Sequence, residues 1–166
     1  MVFTPSSVPP LSGDGNLRKG GAKRAQMINE ACPSDIYEIR PEIPYSKADL
    51  NWLDKKSRSS IEMNDKSFRP KLAKTDLDIG HYSTIFLGFP IWWYVAPTII
   101  NTFLESYDFT GKTIILFATS GSSGFGDTLK ELQPSASKAM IIEGKMLNGL
   151  FIDQKIKELL EILNKL

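Results

Sequence analysis

Two turns of opposite chemical character dominate the middle of this chain. The first, Pro90-Ile91-Trp92-Trp93-Tyr94, follows the apolar run Ser83–Gly88 and is rich in aromatic rings. The second, Thr119-Ser120-Gly121-Ser122-Ser123-Gly124, follows the apolar run Thr113–Ala118 and consists of small residues. Aromatic rings offer flat apolar surface, and glycine lets a partner approach the backbone N–H groups closely. Side by side at the ends of parallel strands, the two turns suit a flat heteroaromatic ring with a polar edge, which is the shape of a flavin. Trp92, Trp93 or Tyr94 can stack on such a ring. The amides of Thr119–Gly124 can donate to its O2 and N1, where negative charge gathers on reduction. Successive residues leaving a strand point to opposite faces, so at least one of the two tryptophans should line the strand-end cleft.

The elements that must position these turns alternate in type. Asp35–Ile39 alternates apolar and polar residues and reads as a short strand. Ser83–Gly88 and Thr113–Ala118 are continuous apolar runs of the buried-strand kind. Pro97 opens a predicted helix in which Ile99, Ile100, Phe103, Leu104 and Tyr107 recur at helical spacing. A helix over Asp127–Gln133 and a strand over Ala139–Ile142 follow. In the C-terminal stretch Leu150–Leu166, Ile152, Ile156, Leu159, Leu160 and Leu163 line one face of a helix. Strands alternating with helices predict an α/β domain with a parallel sheet covered on both faces. In such sheets ligands bind at the carboxyl ends of the strands, where the strand order reverses. Residues 40–80 are charged, aperiodic and punctuated by Pro41, Pro44 and Pro70, so a long loop insertion with one short helix is expected there. Residues 1–24 are atypical. Val8–Leu11 is a poor first strand because it holds two prolines, and Gly20 and Gly21 would sit inside the first helix at ~1 kcal/mol each relative to alanine.

Composition narrows the classes. A chain of 166 residues, 42% hydrophobic and 23% charged, is expected to form a single domain over 1–166. A formal charge of +1 gives no support to nucleic-acid binding, and the clusters Arg18, Lys19, Lys23, Arg24 and Lys55, Lys56, Arg58 read as solvated faces. Cys32 is the sole cysteine, which excludes an intrachain disulfide and a cysteine-based metal cage, and no metal is expected. The first ten residues lack a basic n-region, and no apolar run reaches the ~20 residues of a membrane span. A cytoplasmic protein without membrane contact, monomeric or homodimeric, is the expectation.

Other motifs lead nowhere. Gly111-Lys112-Thr113 resembles the end of a phosphate-binding P-loop but precedes a strand instead of opening a helix. Gly13–Arg18 is an incomplete dinucleotide fingerprint, and Gly121–Phe125 misses the nucleophile-elbow pattern. His81, the only histidine, reads as a loop residue. Trp52 with Arg58 reads either as a lid over the flavin or a contact to the substrate or, for Trp52, as an anchor of the long loop.

With these residues in view, the chain resembles the short bacterial flavodoxins that carry a Gly-x-Pro-x-Trp turn after the third strand, here Gly88-Phe89-Pro90-Ile91-Trp92. The resemblance runs through Pro97–Phe109, Thr119-Ser120-Gly121, Pro44-Tyr45, Ala48–Trp52 and Lys56-Ser57-Arg58, and so covers residues 35–166. It implies a flavodoxin-like doubly wound parallel five-stranded sheet, order 2-1-3-4-5, with helices on both faces. It also implies FMN as cofactor and transfer of electrons or hydride between a reduced donor and an acceptor, protein or small molecule. The family's phosphate loop corresponds to residues 12–17, where Ser12, Gly15 and Asn16 fit the pattern. Asp14 and Leu17 stand where the family has hydroxyl residues, leaving backbone N–H groups, Leu17's included, to hold phosphate beside Arg18 and Lys19. The candidate cofactor-binding set is therefore Ser12, Gly15, Asn16 and Leu17, with Pro90, Ile91, Trp92, Trp93 and Tyr94, and with Thr119, Ser120, Gly121 and Gly124. Many flavodoxins place a glycine beside flavin N5. Here Ile91, which resists a positive φ, argues for two-electron chemistry. A one-electron carrier and a flavin-free interaction module of the same fold are the alternatives.

Overall fold

The computed structural model describes residues 2–5 and 20–166. Strands β1 (Val2–Pro5), β2 (Ile36–Ile39), β3 (Thr84–Pro90), β4 (Thr113–Thr119) and β5 (Met140–Met146) form one parallel sheet in the order β2-β1-β3-β4-β5. Between and after them lie α1 (Gly20–Ala31), α2 (Arg58–Asn64), α3 (Thr98–Glu105), α4 (Thr128–Leu132) and α5 (Ile152–Leu163). A 3-10 turn, Gln133–Ala136, extends α4.

The continuous apolar runs become the strands buried on both faces. Ile85, Leu87, Phe89, Ile114, Leu116 and Ala118 point to the side covered by α3. Phe86, Ile115 and Phe117 point to the side covered by α1 and α5, where they meet Ile28, Ile156 and Leu159. This is the two-residue period of a strand, read on two covered faces. Each fully buried Leu, Ile or Phe side chain contributes about 1.5–3 kcal/mol.

The first strand differs from the sequence expectation. Pairing begins at Val2, which lies opposite Ile36 and Phe86, while residues 8–11 lie outside the described residues. Pro5 is tolerated because β1 pairs with β3 only through Val2 and Phe3, so a missing N–H at its end breaks no bond on that side. Gly20 and Gly21 are the first two residues of α1, where N–H groups have no intrahelical partner in any case. Pro97 proves to be the N-cap of α3 and not its first helical residue.

Between β4 and β5 the register shifts. Leu116 faces Glu143, but Phe117 faces Lys145, so Gly144 is the extra residue of a bulge. A side chain at Gly144 would run into the Leu116 carbonyl oxygen at 2.2 Å. Lys145 then pairs with Glu158 of α5 at 2.7 Å.

The stretch after β2 is irregular apart from α2, and it is closed at its base. An antiparallel bridge joins Pro41 to Leu72. Glu42 N–H donates to Lys71 O and Ala73 N–H to Arg40 O, each at 2.8 Å. No described helix is long and apolar enough to cross a membrane.

Candidate functional site

The roots of the two turns are fastened together. Ile91 N–H donates to Thr119 O at 2.8 Å where β3 and β4 end. Pro90 and Ile91 are buried in this root. Trp92 and Val95 then exchange backbone hydrogen bonds at 2.9 and 3.0 Å, closing a two-residue turn over Trp93 and Tyr94. Both central residues are left-handed, with φ of 44° and 69°. Turns of this hand usually carry Asn-Gly. For aromatic residues the conformation costs roughly 1–3 kcal/mol each, and it persists only where the surroundings enforce it.

Two contacts enforce it. Trp92 is 0% exposed, and its ring meets Tyr45 edge-on at 5.5 Å and 84° in a cluster with Leu50 and Met63. On the other side, Gly126 (φ 55°) lies so close that a Cβ there would stand 2.1 Å from Tyr94 O. Pinned from both sides, the turn presents Trp93 (39% exposed) and Tyr94 (72% exposed) at the carboxyl edge of the sheet. Of the aromatics expected to stack on a ring, Trp92 is thus a core residue whose faces are already covered. The buried Trp92 Nε1 finds no hydrogen-bond partner among the described residues.

The second turn is ordered by side chains. Ser120 N–H donates to Asn148 Oδ1 at 2.8 Å, so the Ser120 amide is engaged and is not open to a ligand. Ser120 Oγ donates to Ser123 O, and Lys155 Nζ donates to Asn148 O at 2.6 Å. Thr119 and Ser120 are buried. Among the described residues, no hydrogen bond engages the N–H groups of Gly121, Ser122, Ser123 or Gly124. Ser12, Gly15, Asn16 and Leu17 lie outside the described residues.

Beneath the aromatic turn sits a buried polar cluster. Glu62 of α2 is 1% exposed. It accepts from Arg58 Nε at 2.6 Å on one oxygen and from the Tyr45 hydroxyl on the other. Arg58 lies 4.1 Å over the Tyr45 ring and also donates to Ile43 O at 2.7 Å. Burial, and then the Glu62 carboxylate, push the Tyr45 hydroxyl far above its ordinary pKa. Arg58 is therefore part of the framework, whereas Trp52 stays half-exposed; the loop's anchors are Tyr45 and Leu50. His81 lies before β3 with Asp78 at 3.8 Å. No grouping of His, Cys, Asp and Glu suited to a metal occurs among the described residues.

Three residues of this site escape sequence reasoning. Asn148, in an Asn-Gly pair after β5, carried the only local signal, that of a turn. Gly126 was one glycine among several, and Glu62 read as a helix-surface charge.

A family model described as Flavodoxin matches residues 16–163. The chain is 42% identical to a candidate flavoprotein of Bacteroides uniformis, over 95% of this chain and 94% of that one, with a TM-score of 0.82. It is 37% identical to a second candidate flavoprotein, from Bacteroides eggerthii, over 98% and 96%, with a TM-score of 0.84. At 18% identity, a Lactobacillus acidophilus flavoprotein solved in complex with FMN shares the fold, with a TM-score of 0.63 over 95% of each chain. No curated protein matches the chain.

Proposed function

The chain belongs to the flavodoxin family, and on that premise we propose that it binds FMN at the carboxyl ends of β3 and β4 and passes electrons or hydride between a reduced donor and an acceptor. One observation carries the reading: an exposed, rigidly held indole and phenol in the turn after β3 lie next to a turn after β4 in which four amides are unengaged among the described residues. The ring half of the cofactor fits these residues. Trp93 or Tyr94 supplies a stacking face, worth ~0.5–1.5 kcal/mol beyond area burial. The amides of Gly121 to Gly124 supply donors for the pyrimidine edge, and Ser120 supports that turn through Asn148 and Ser123. Ser12, Gly15, Asn16 and Leu17 are the proposed phosphate-side residues on the strength of the family resemblance.

Bound there, the flavin supplies reversible uptake of electrons, as hydride or singly. The protein's part is to hold the ring between a rigid aromatic turn and fixed donors, so that little reorganisation accompanies the change in charge. Ile91 is engaged through its N–H and is not left-handed, so the positive φ falls later, at Trp93 and Tyr94. This favours two-electron over one-electron chemistry. Titrating the purified chain with FMN tests the reading: binding with a change in the flavin absorbance bands supports it. Colourless protein in excess FMN would leave the flavin-free interaction module, which Asp14 and Leu17 in the phosphate loop favour. Steady oxidation of NADH or NADPH with a quinone acceptor would separate an enzyme from a simple carrier.

A further inference from the structure

On the outer side of the aromatic turn lies a cavity of about 710 Å³ that contains no residue of the small-residue turn. One wall is the segment Met63–Arg69, the opposite wall is formed by α3 and the start of α4, and Trp93 and Tyr94 form an end. Its size is that of a small-molecule site, and its polar groups define what it would accept.

The cations of the lining are already matched. Lys66 Nζ donates to Glu131 at 2.5 Å, and Arg69 Nε donates to Glu105 at 2.8 Å. Arg69 also donates to the carbonyls of Lys66 and Phe68. Asn101 Nδ2 donates twice, to Glu131 O and to Ser135 Oγ, and Ser135 in turn donates to Glu105. Among the described residues three groups lack a hydrogen-bond partner, although Lys66 also feels the charge of Asp127. Asp127 is the N-cap residue of α4, yet its carboxylate makes no capping bond, although aspartate at that position ordinarily does. Asn101 Oδ1 receives no hydrogen bond among the described residues. Thr98 Oγ1 also has no partner among the described residues, but that oxygen is itself sealed from solvent. The first two accept hydrogen bonds and are the acceptors open to a ligand. Among the described lining residues, Lys66 and Arg69 set against Glu105, Asp127 and Glu131 leave one negative charge. Gly126, pressed against the Tyr94 backbone, holds Asp127 beside the aromatic end of the cavity.

We propose that this cavity binds a flat aromatic cation, of the N-alkylated pyridinium or protonated aromatic amine class, with Trp93 and Tyr94 against its ring and Asp127 as its counter-charge. A cation over an indole or phenol face is attracted by the ring quadrupole, and the remaining acceptors suit a ligand that donates. An anion meets the opposite balance: the net charge repels it, and it must displace a carboxylate from Lys66 or Arg69. The inference does not depend on the flavin.

One ring in three charge states tests it. The full chain, labelled with nitrogen-15, is titrated with 1-methylnicotinamide (cation), nicotinamide (neutral) and nicotinate (anion), following the indole N–H signal of Trp93. The cation is expected to bind tightest and nicotinate weakest. Asp127→Asn should weaken the cation about tenfold while changing nicotinamide little. Lys66→Met, which removes a positive charge from the wall, should tighten the cation. Equal affinities for the three rings, no binding of the cation, an unchanged affinity in Asp127→Asn, or a response at Trp52 in place of Trp93 would each overturn the proposal.

Discussion

Replacing Gly126 by alanine probes the rigidity of the aromatic turn directly. Gly126 has φ 55°, and an added Cβ would stand 2.1 Å from the Tyr94 carbonyl oxygen, a backbone atom that cannot swing aside. The left-handed conformation costs an alanine about 1–2 kcal/mol, and forcing the backbones apart adds about 1–3 kcal/mol. Together roughly 2–5 kcal/mol are lost from a total of about 5–15 kcal/mol. Gly111→Ala is the control: its φ is 72°, but nothing lies within 4 Å of the added Cβ, so only the conformational part applies. Gly124→Ala has open space and no positive φ, so its stability should change by less than about 0.5 kcal/mol, while FMN affinity falls. Urea unfolding, with the slope checked for constancy, gives the three values. If Gly126→Ala is no more destabilised than Gly111→Ala, Gly126 does not brace the turn, and the explanation for left-handed Trp93 and Tyr94 is wrong.

The neighbouring tryptophans should behave oppositely. Trp92→Ala empties a fully buried site and should cost about 3–5 kcal/mol in urea unfolding; Trp93→Ala should leave stability nearly intact and weaken FMN about two- to tenfold in titration. Glu62→Gln should cost about 3–5 kcal/mol, because the half-buried Arg58 loses its counter-charge; wild-type stability would refute a structural role for the cluster. The folded state raises the Tyr45 pKa above the ordinary 10.0, so the protonated form's stability is intact below that value and drains away as pH rises beyond it. Tyr45→Phe should therefore be less stable at neutral pH by about 1–3 kcal/mol yet lose less further stability between pH 9 and about 11, as thermal melts across that range would show.

Where burial alone decides structure, the sequence reveals it. Ile85-Phe86-Leu87 and Ile114-Ile115-Leu116 read as strands covered on two faces and are such strands, and the stripe Ile152, Ile156, Leu159 fixes the face α5 turns inward. β5 continues to Met146, beyond the expected Ile142, because Glu143 and Lys145 are polar residues on a sheet edge that keeps one side near solvent. β1 escaped because four residues ending in proline have no period to read. The hand of the aromatic turn was hidden for a related reason: local chemistry signals a left-handed pair with Asn-Gly, and here the conformation comes from contacts with Tyr45 and Gly126, both distant in sequence. Glu62 follows the same logic, since only the folded arrangement of Tyr45 and Arg58 makes a buried carboxylate tolerable.

The bulge at Gly144 makes the length of β5 a functional parameter. The bulge absorbs the extra residue, so that Lys145 and Met146 pair in phase with Phe117 and Ala118, and the chain beyond brings Leu147 N–H to Ala118 O and Asn148 Oδ1 to Ser120 N–H. Deleting Gly144 would leave the ladder before it unchanged. The pairs beyond it, Phe117 with Lys145 and Ala118 with Met146, would simply continue that ladder, so Leu147 and Asn148 keep their places and only the local bend is lost. A codon lost here is thus absorbed, whereas one gained between the bulge and Leu147 would slip the pairing by one, turn Leu147 towards water and withdraw Asn148 from the loop after β4.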